Sequence, residues 1–523
     1  MLSDAHEIPS GSTITTDVCI IGAGAAGITL AREFIGQPFR VCLLESGGLS
    51  FDSRRQSLNS GTNVGLPYYA LEGTRLRHFG GTTNHWGGWC RPLDPIDFEA
   101  RPWVPHSGWP FNFETLRPYY ERAQDMCQLG PFTYEEAFWR EAEPPLALDQ
   151  HCLYTSVFQV SPPTRFGVVY RGEIQQAQNI TTYLYANALE LETDRAARTV
   201  SRIRAASEPD KEFWVEARWV ILALGTIENA RLLLVSDAAQ PNGLGNGSDL
   251  VGRFFMEHPS LTVGCLMPAE PALPAVEFYS RHEVERAGRR HPMSGAIALS
   301  AEIMRNERLL NAISTPMSRA TPEMLSGVAS AKTIAESFER WKWPKEFARH
   351  LRQVITDWED VSWAMKKRLA KQPLTLYACE LSLEQSPDPE SRVTLTDARD
   401  RFRQRRVQLN WKVGGAEKRT LLRAWELIGR EIGRLGVGRV ATTIDLQADR
   451  LPWAGLYHQM GTTRMHADPE QGVTDPNSLV HGMSNLYIAG ASVFPTSGIS
   501  NPTLTIVALA LRMADRFKQE LQA

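Results

Sequence analysis

Two side chains near the C-terminus carry chemistry that the rest of the chain has to position. His458 stands in Tyr457-His458-Gln459-Met460-Gly461-Thr462, after an apolar, strand-like approach. An imidazole titrates near neutral pH, which suits it to take or return a proton, although a lone histidine in such a run is more often a packed structural residue. Asn501 lies in Ser500-Asn501-Pro502-Thr503, the order expected where a helix opens with Asn as N-cap and Pro in its first turn. Capping accounts for Asn501 whatever else it does.

The segments that would bring a cofactor to these residues are rich in glycine. Gly22-Ala23-Gly24-Ala25-Ala26-Gly27 reads G-x-G-x-x-G between a β-branched run, Thr16 to Ile21, and a helical stretch, Ala25 to Phe34. Small residues at Gly22, Gly24, Ala26 and Gly27 let the backbone approach a pyrophosphate at a helix N-terminus. Glu45 closes the next strand-like run, Val41 to Leu44, where an acidic side chain accepts hydrogen bonds from adenosine ribose hydroxyls. A purely structural turn is the alternative, and the fingerprint alone does not separate NAD from FAD.

A second glycine-rich segment, Gly80-Gly81-Thr82-Thr83-Asn84-His85-Trp86-Gly87-Gly88, offers amides and hydroxyls to phosphate or ribityl oxygens, and in isolation is equally an ordinary loop. Asn485 to Ala489 reads as a strand running into Gly490 and Ala491. The buried-strand pattern from Phe213 to Leu224 stops at Gly225, and Ala188 lies in the strand-like run Thr181 to Glu192.

The chain that must hold these pieces has 523 residues, 43% of them hydrophobic, which predicts two intertwined domains. Lys plus Arg number 56 against 59 Asp plus Glu, with no long block of like charge, so nucleic acid is not an expected partner. The seven cysteines are scattered and form no C-x-x-C pair, which argues against a disulfide framework or a zinc site and fits a reducing compartment. The first sixteen residues lack the basic start and apolar run of a secretory signal, so a cytoplasmic location is expected, or a periplasmic one after export with a signal-bearing partner. Apolar stretches such as Leu504 to Leu511 fall short of the roughly 20 residues that span a bilayer.

The order of patterns predicts an α/β protein: a Rossmann-like nucleotide-binding domain and a discontinuous second domain built on an antiparallel sheet with a helical insertion. We assign residues 1–100, 178–260 and 450–523 to the first, and 101–177 and 261–449 to the second. Strand-like runs at Ser294 to Leu299, Leu374 to Leu383, Arg392 to Leu395 and Val407 to Val413 belong to the second domain, around a Trp-rich helical insertion from about 322 to 371. Its mixture of Trp, Phe, Lys and Arg suits a cover over the sheet, or a helix that docks on a membrane surface or a partner.

Together the segments resemble the glucose-methanol-choline (GMC) flavoprotein oxidoreductases. The resemblance rests on the N-terminal fingerprint, GGTTNHWGG, ALGTIENARLL at Ala223 to Leu233, VGRFFMEHP at Val251 to Pro259, and the stretch from His458 to Thr505. It is weakest from about 265 to 370. NLYIAGASVFPTSGISNPTLT looks most like the branch with pyranose oxidases and bacterial glycoside dehydrogenases.

That resemblance implies FAD as cofactor, with Thr82, Thr83, Asn501, Pro502 and Thr503 among the residues around it. It makes His458 the base that takes a hydroxyl proton and Asn501 a hydrogen-bond partner of the same oxygen. His85 aligns with a histidine that is covalently linked to flavin in some relatives and not in others, and both states stay open here. The expected reaction is oxidation of a secondary hydroxyl of a sugar, glycoside or related polyol by hydride transfer to flavin N5, with oxygen or an electron-transfer partner as acceptor. Glu384 and Gln385 are candidates for hydroxyl recognition, with a polar strand end as the alternative. Competing expectations are a lipophilic alcohol or sterol as substrate, and a flavin-bearing subunit active only within a complex.

Overall fold

In the computed structural model, which describes residues 1–141, 144–270, 274–339, 343–370 and 375–522, two large sheets divide the chain. The first has the order Leu2–Asp4, Ile180–Leu184, Val41–Leu44, Thr13–Ile21, Lys211–Leu222, Val200–Glu208, Asn187–Thr193, and Leu486–Ile488 also pairs with Lys211–Leu222. Its central pairs are parallel and its far edge, from Lys211–Leu222 outward, is antiparallel. Val18 to Ile21 and Val41 to Leu44 are buried throughout, as strands covered on both faces must be. Helix Ala25–Glu33 and the C-terminal helix Pro502–Gln522 belong to the same core, in which Phe34 packs on Phe517.

The run Thr181 to Glu192 is not one strand. It breaks at Tyr185, whose φ of 61° is a left-handed conformation no strand accommodates, and its halves go to different places in the sheet. Ile180–Leu184 pairs with Val41–Leu44, whereas Asn187–Thr193 pairs with Val200–Glu208.

The second sheet runs Gly438–Thr442, Ser260–Pro268, Leu376–Leu383, Ala312–Ala320, Arg289–Leu299, Leu153–Val160, Trp89–Cys90, and its pairs are antiparallel. Helix Gly415–Arg434 buries Leu421, Trp425 and Ile428 in the same core as Leu261, Leu381 and Ile297. The runs at Arg392 and Val407, expected here, form a separate small sheet. Arg392–Arg399 pairs with Arg405–Asn410, which pairs in parallel with Gly61–Asn63. The cause is apolar: Val393, Leu409 and Trp411 are buried with Leu71, Ile227 and Phe255, all from the N-terminal two-thirds of the chain.

The stretch 101–177 is also divided. Leu153–Val160 joins the second sheet, but helix Phe113–Met126 lies in the first core, with Arg122 bonded to Asp515 at 2.6 Å and to Glu33 at 2.8 Å. The insertion folds as helices Ser326–Glu339, Phe347–Thr356 and Trp358–Leu369, anchored where Leu325, Val328 and Trp363 meet Cys265, Met267 and Leu376. Among the described residues no helix is long and apolar enough to cross a membrane.

Candidate active site

A cavity of about 590 Å³ runs from Glu45 at one end to His458 and Asn501 at the other. Three helices open onto it: Ala25–Glu33, Thr226–Val235 and Pro502–Gln522. The first two have glycine N-caps, Gly24 and Gly225, which supply no side-chain cap, so their first-turn N–H groups are left for whatever fills the cavity. The turn at Gly22 to Gly27 is set by contact. Gly22 has φ 107°, and a Cβ on Gly27 would lie 1.9 Å from the Gly22 carbonyl oxygen, whereas a Cβ on Gly24 would meet nothing within 4 Å. Gly24 is therefore the open cradle and Gly27 the packing contact.

At this end Glu45 accepts the amides of Gly47 at 2.8 Å and Ala23 at 3.1 Å, and its burial raises its pKa against those donors. Beside it, Glu228 binds Arg75 at 2.7 Å and Arg77 at 2.5 Å. Burial works to raise the Glu228 pKa, but the charges of Arg77, Arg231 and Arg75 outweigh it and hold the group well below the ordinary carboxylate range. Arg75, Arg77 and Glu228 all line the cavity, and none follows from the sequence pattern, because the cluster joins the loop after Gly73 to a helix more than a hundred residues later.

At the other end, Asn501 Nδ2 lies 3.0 Å from His458 Nε2, and His458 Nδ1 lies 3.0 Å from Nδ1 of His258. With the Asn501 amide donating, Nε2 is the acceptor, and the His458 proton sits on Nδ1, facing His258. Burial, and next the His258 ring, lower the His458 pKa well below the ordinary value, while burial takes His258 down to about 4. Both imidazoles are therefore neutral at pH 7.

The backbone of this loop is gripped by Glu257. Its Oε2 accepts the amides of His458 at 2.8 Å and Leu456 at 3.2 Å, and its Oε1 accepts the hydroxyl of Tyr68. Burial pushes Glu257 up to about 7 despite these donors. Tyr457, between the two gripped amides, holds φ 62° and leaves its ring exposed, stacked on Tyr69 with centroids 4.3 Å apart. Glu257 and His258 lie inside VGRFFMEHP, so the stretch is visible in the sequence, but its partnership with His458 across 200 residues is not.

The cavity wall includes Gly22, Gly24, Ala26, Glu45, Gly81, Thr82, Thr83, His85, Trp86, Gly225, Gly490, Ala491, Pro502 and Thr503. Gly27, Gly80 and Asn84 lie behind it: the Gly80 amide bonds the Ala23 carbonyl at 2.8 Å, and Asn84 Nδ2 bonds the Phe79 carbonyl at 2.9 Å. Ala188 does not reach it and lines a separate small cavity of about 50 Å³. The His85 side chain is exposed on the cavity wall, and partial desolvation of its ring, then the Arg165 charge, lower its pKa.

Glu384 and Gln385 correct the expectation of a substrate contact. Both are fully buried and neither lines the cavity. Glu384 is the partner of Arg101, whose Nη1 it binds at 2.8 Å, and accepts the Asn311 amide at 3.0 Å. Gln385 spends Oε1 on the Glu257 amide at 2.9 Å and on Trp411 Nε1 at 2.9 Å, and Nε2 on the Lys412 carbonyl at 2.8 Å. A buried ion pair and a saturated amide have nothing left for a ligand.

Residues 17–239 match a family model described as FAD dependent oxidoreductase, and residues 387–510 match one described as GMC oxidoreductase. The chain is a GMC oxidoreductase. Over its whole length this GMC oxidoreductase is similar to the fructose dehydrogenase large subunit of Gluconobacter japonicus, 23% identical over 98% of this chain and 99% of the relative. It is also similar to 6'''-hydroxyparomomycin C oxidase of Streptomyces lividus, 26% identical over 97% and 92%. A C-glycoside 3-oxidase of Arthrobacter globiformis is 42% identical over 93 residues, 18% of each chain. Among solved structures, pyridoxine 4-oxidase from Mesorbium loti shares the fold, with TM-score 0.56 at 16% identity over 96% of this chain and 99% of that one.

The GMC oxidoreductase uses FAD and acts on CH–OH groups. The cavity fits that cofactor by chemistry: an open glycine cradle at Gly24, uncapped helix N-termini for phosphate, and a buried carboxylate at Glu45. Gly27→Ala should add about 1–3 kcal/mol of strain at the turn. The purified variant is expected to hold flavin about ten- to a hundred-fold more weakly, read from visible absorbance after dialysis. Full retention of colour would show that the turn tolerates the methyl group.

Proposed function

We propose that this GMC oxidoreductase oxidises a secondary hydroxyl of a sugar, glycoside or related polyol to a carbonyl, with His458 as base. The observation that carries the reading is the His458–Asn501 pair on the cavity wall, with the basic Nε2 turned toward the Asn501 amide at 3.0 Å. Bound FAD supplies the acceptor for the hydride that leaves the carbinol carbon. A hydroxyl within reach of both groups, in place of their direct hydrogen bond, gives its proton to Nε2 and accepts a hydrogen bond from the amide. His458 becomes imidazolium as the C–H bond weakens, and that cation stabilises the developing alkoxide.

His258 keeps the proton of neutral His458 on Nδ1, away from the substrate. Glu257 fixes the backbone from which the ring projects, so the base is held before the substrate arrives. Because burial keeps His458 neutral, substrate-driven reduction should not need alkaline pH. It should fall in acid, as the base protonates.

The sugar reading is supported by the relatives, which are named for fructose, an aminoglycoside and a C-glycoside, and by the exposed Tyr69–Tyr457 stack beside His458. A tyrosine face offers apolar area to the C–H face of a ring, and the Tyr69 hydroxyl is fixed by donating to the Gly455 carbonyl at 3.0 Å. The Trp- and Phe-rich insertion no longer favours a lipophilic alcohol, since none of its described residues lines the cavity. Either oxygen or an electron-transfer partner completes the turnover. The test is an anaerobic screen of sugars, glycosides and lipophilic alcohols for flavin bleaching, followed by air or artificial acceptors. Bleaching by lipophilic alcohols and by no carbohydrate would reject the sugar assignment.

For the flavin linkage, the exposed, neutral imidazole of His85 on the cavity wall is the nucleophile to examine. If His85 carries a covalent bond, acid precipitation leaves the yellow colour in the pellet of the wild type and in the supernatant of His85→Ala. A colourless wild-type pellet means that the flavin is held without a bond.

A further inference from the structure

The insertion turns its apolar side outward. Helix Phe347–Thr356 has no buried residue, and it meets helix Ser326–Glu339 through Ser330, which bonds Gln353 at 2.6 Å and His350 at 3.1 Å, and at one end through Phe347, edge-on to Phe338. Leu351 and Ile355, one turn apart on the other side, are 41% and 66% exposed. An amphipathic helix in a globular protein buries the opposite face.

Helix Trp358–Leu369 repeats the arrangement. Val361 and Ala364 are buried against the protein, while Trp358, Met365 and Leu369, spaced i, i+7 and i+11 along one face, are 58%, 53% and 81% exposed. At the tip between the first two helices, Trp343 is 74% exposed and packs edge-on to Phe347 with centroids 5.2 Å apart. Among the described residues, seven of the exposed large apolar side chains fall from Phe338 to Leu369. Scattered exposed apolar residues need no explanation, but an outward apolar line on each of two successive helices does.

The charges around the stripe indicate what covers it. Lys366 and Arg368 lie on either side of the Met365–Leu369 line, and Arg352 adjoins Ile355 one turn away, all in a chain whose overall charge is −3. Of the acids between 343 and 369, Glu346 is paired with Arg349 at 2.5 Å, Asp360 with Arg439 at 2.7 Å, and Asp357 accepts the Ser326 hydroxyl, which leaves Glu359 exposed. Protein interfaces are poor in lysine, whereas indoles at the ends of an apolar stripe with lysine and arginine on its flanks suit the headgroup zone of an anionic bilayer.

We propose that the outward face of residues 343–369 is a docking surface for an anionic lipid bilayer, on which the enzyme lies without crossing. The flavin-loaded protein is mixed with vesicles of phosphatidylcholine alone or with phosphatidylglycerol, and sedimented. The wild type should pellet with the anionic vesicles and be released by salt. Ile355→Glu with Met365→Glu should abolish sedimentation, and Lys366→Glu with Arg368→Glu should weaken it at least about tenfold, both with the visible flavin spectrum intact. Wild-type protein that stays in the supernatant with both kinds of vesicle overturns the proposal. An oligomer that the Ile355→Glu, Met365→Glu variant converts to monomer overturns it in favour of a second copy of this chain as the occupant.

Discussion

His458→Ala will purify yellow and will not bleach when substrate is added without oxygen. The side chain lies on the wall of the cavity and makes its hydrogen bonds to Asn501 and His258, while the loop around it is held by Glu257 through backbone amides that alanine also has. The fold and the flavin site should therefore survive the change. What is lost is the acceptor for the hydroxyl proton, worth about 10²- to 10⁴-fold in the rate of substrate-driven reduction. Asn501→Ala should cost less, because it removes an orienting hydrogen bond and leaves the base. A His458→Ala variant that bleaches at the wild-type rate would take His458 out of the reaction.

Glu384→Ala will damage stability and not substrate affinity. The change leaves the Arg101 guanidinium, fully buried, without the carboxylate that binds two of its nitrogens. Removing one partner of such a pair costs about 3–5 kcal/mol. Asp97 nearby is held up to about 8 by burial first, then by the charges of Asp94 and Glu384, against the pull of Arg101. With Glu384 gone, Asp97 ionises more readily beside Arg101, which places the expected loss toward the lower end of that range. Thermal or urea denaturation measures it, and the KM for any substrate that bleaches the flavin should not move. A raised KM with unchanged stability would return Glu384 to the substrate pocket.

The contrast between Glu384 and the cofactor turn shows what the sequence could carry. Gly22 to Gly27 is legible because the constraint is local: the residues that must be small lie within one turn, where the Gly22 carbonyl itself excludes a side chain at Gly27. The strand from Val41 to Leu44 is legible for the same reason, as four buried apolar residues in a row. Glu384, by contrast, is a carboxylate whose meaning depends on Arg101, 283 residues away, and nothing in EQSPDPES hints at that partner.

The same limit applies at the catalytic end. His458 and Asn501 stand out by type and setting, but Glu257 and His258, which hold the ring and its tautomer, become visible only when strand Ser260–Pro268 delivers them to the loop before Met460. The small sheet of Arg392–Arg399, Arg405–Asn410 and Gly61–Asn63 was illegible for a similar reason. Alternation of apolar residues marks a strand but not its neighbour, and the third strand comes from the other end of the chain.

The most direct test of the account is rapid anaerobic mixing of the flavin-loaded protein with a carbohydrate that bleaches it, in ordinary form and deuterated at the carbinol carbon. If a hydride leaves that carbon while His458 takes the hydroxyl proton, bleaching is slower with the deuterated sugar, and His458→Ala bleaches at neither isotope on the same timescale. Equal rates for the two isotopes in a reaction that His458→Ala still performs would contradict it.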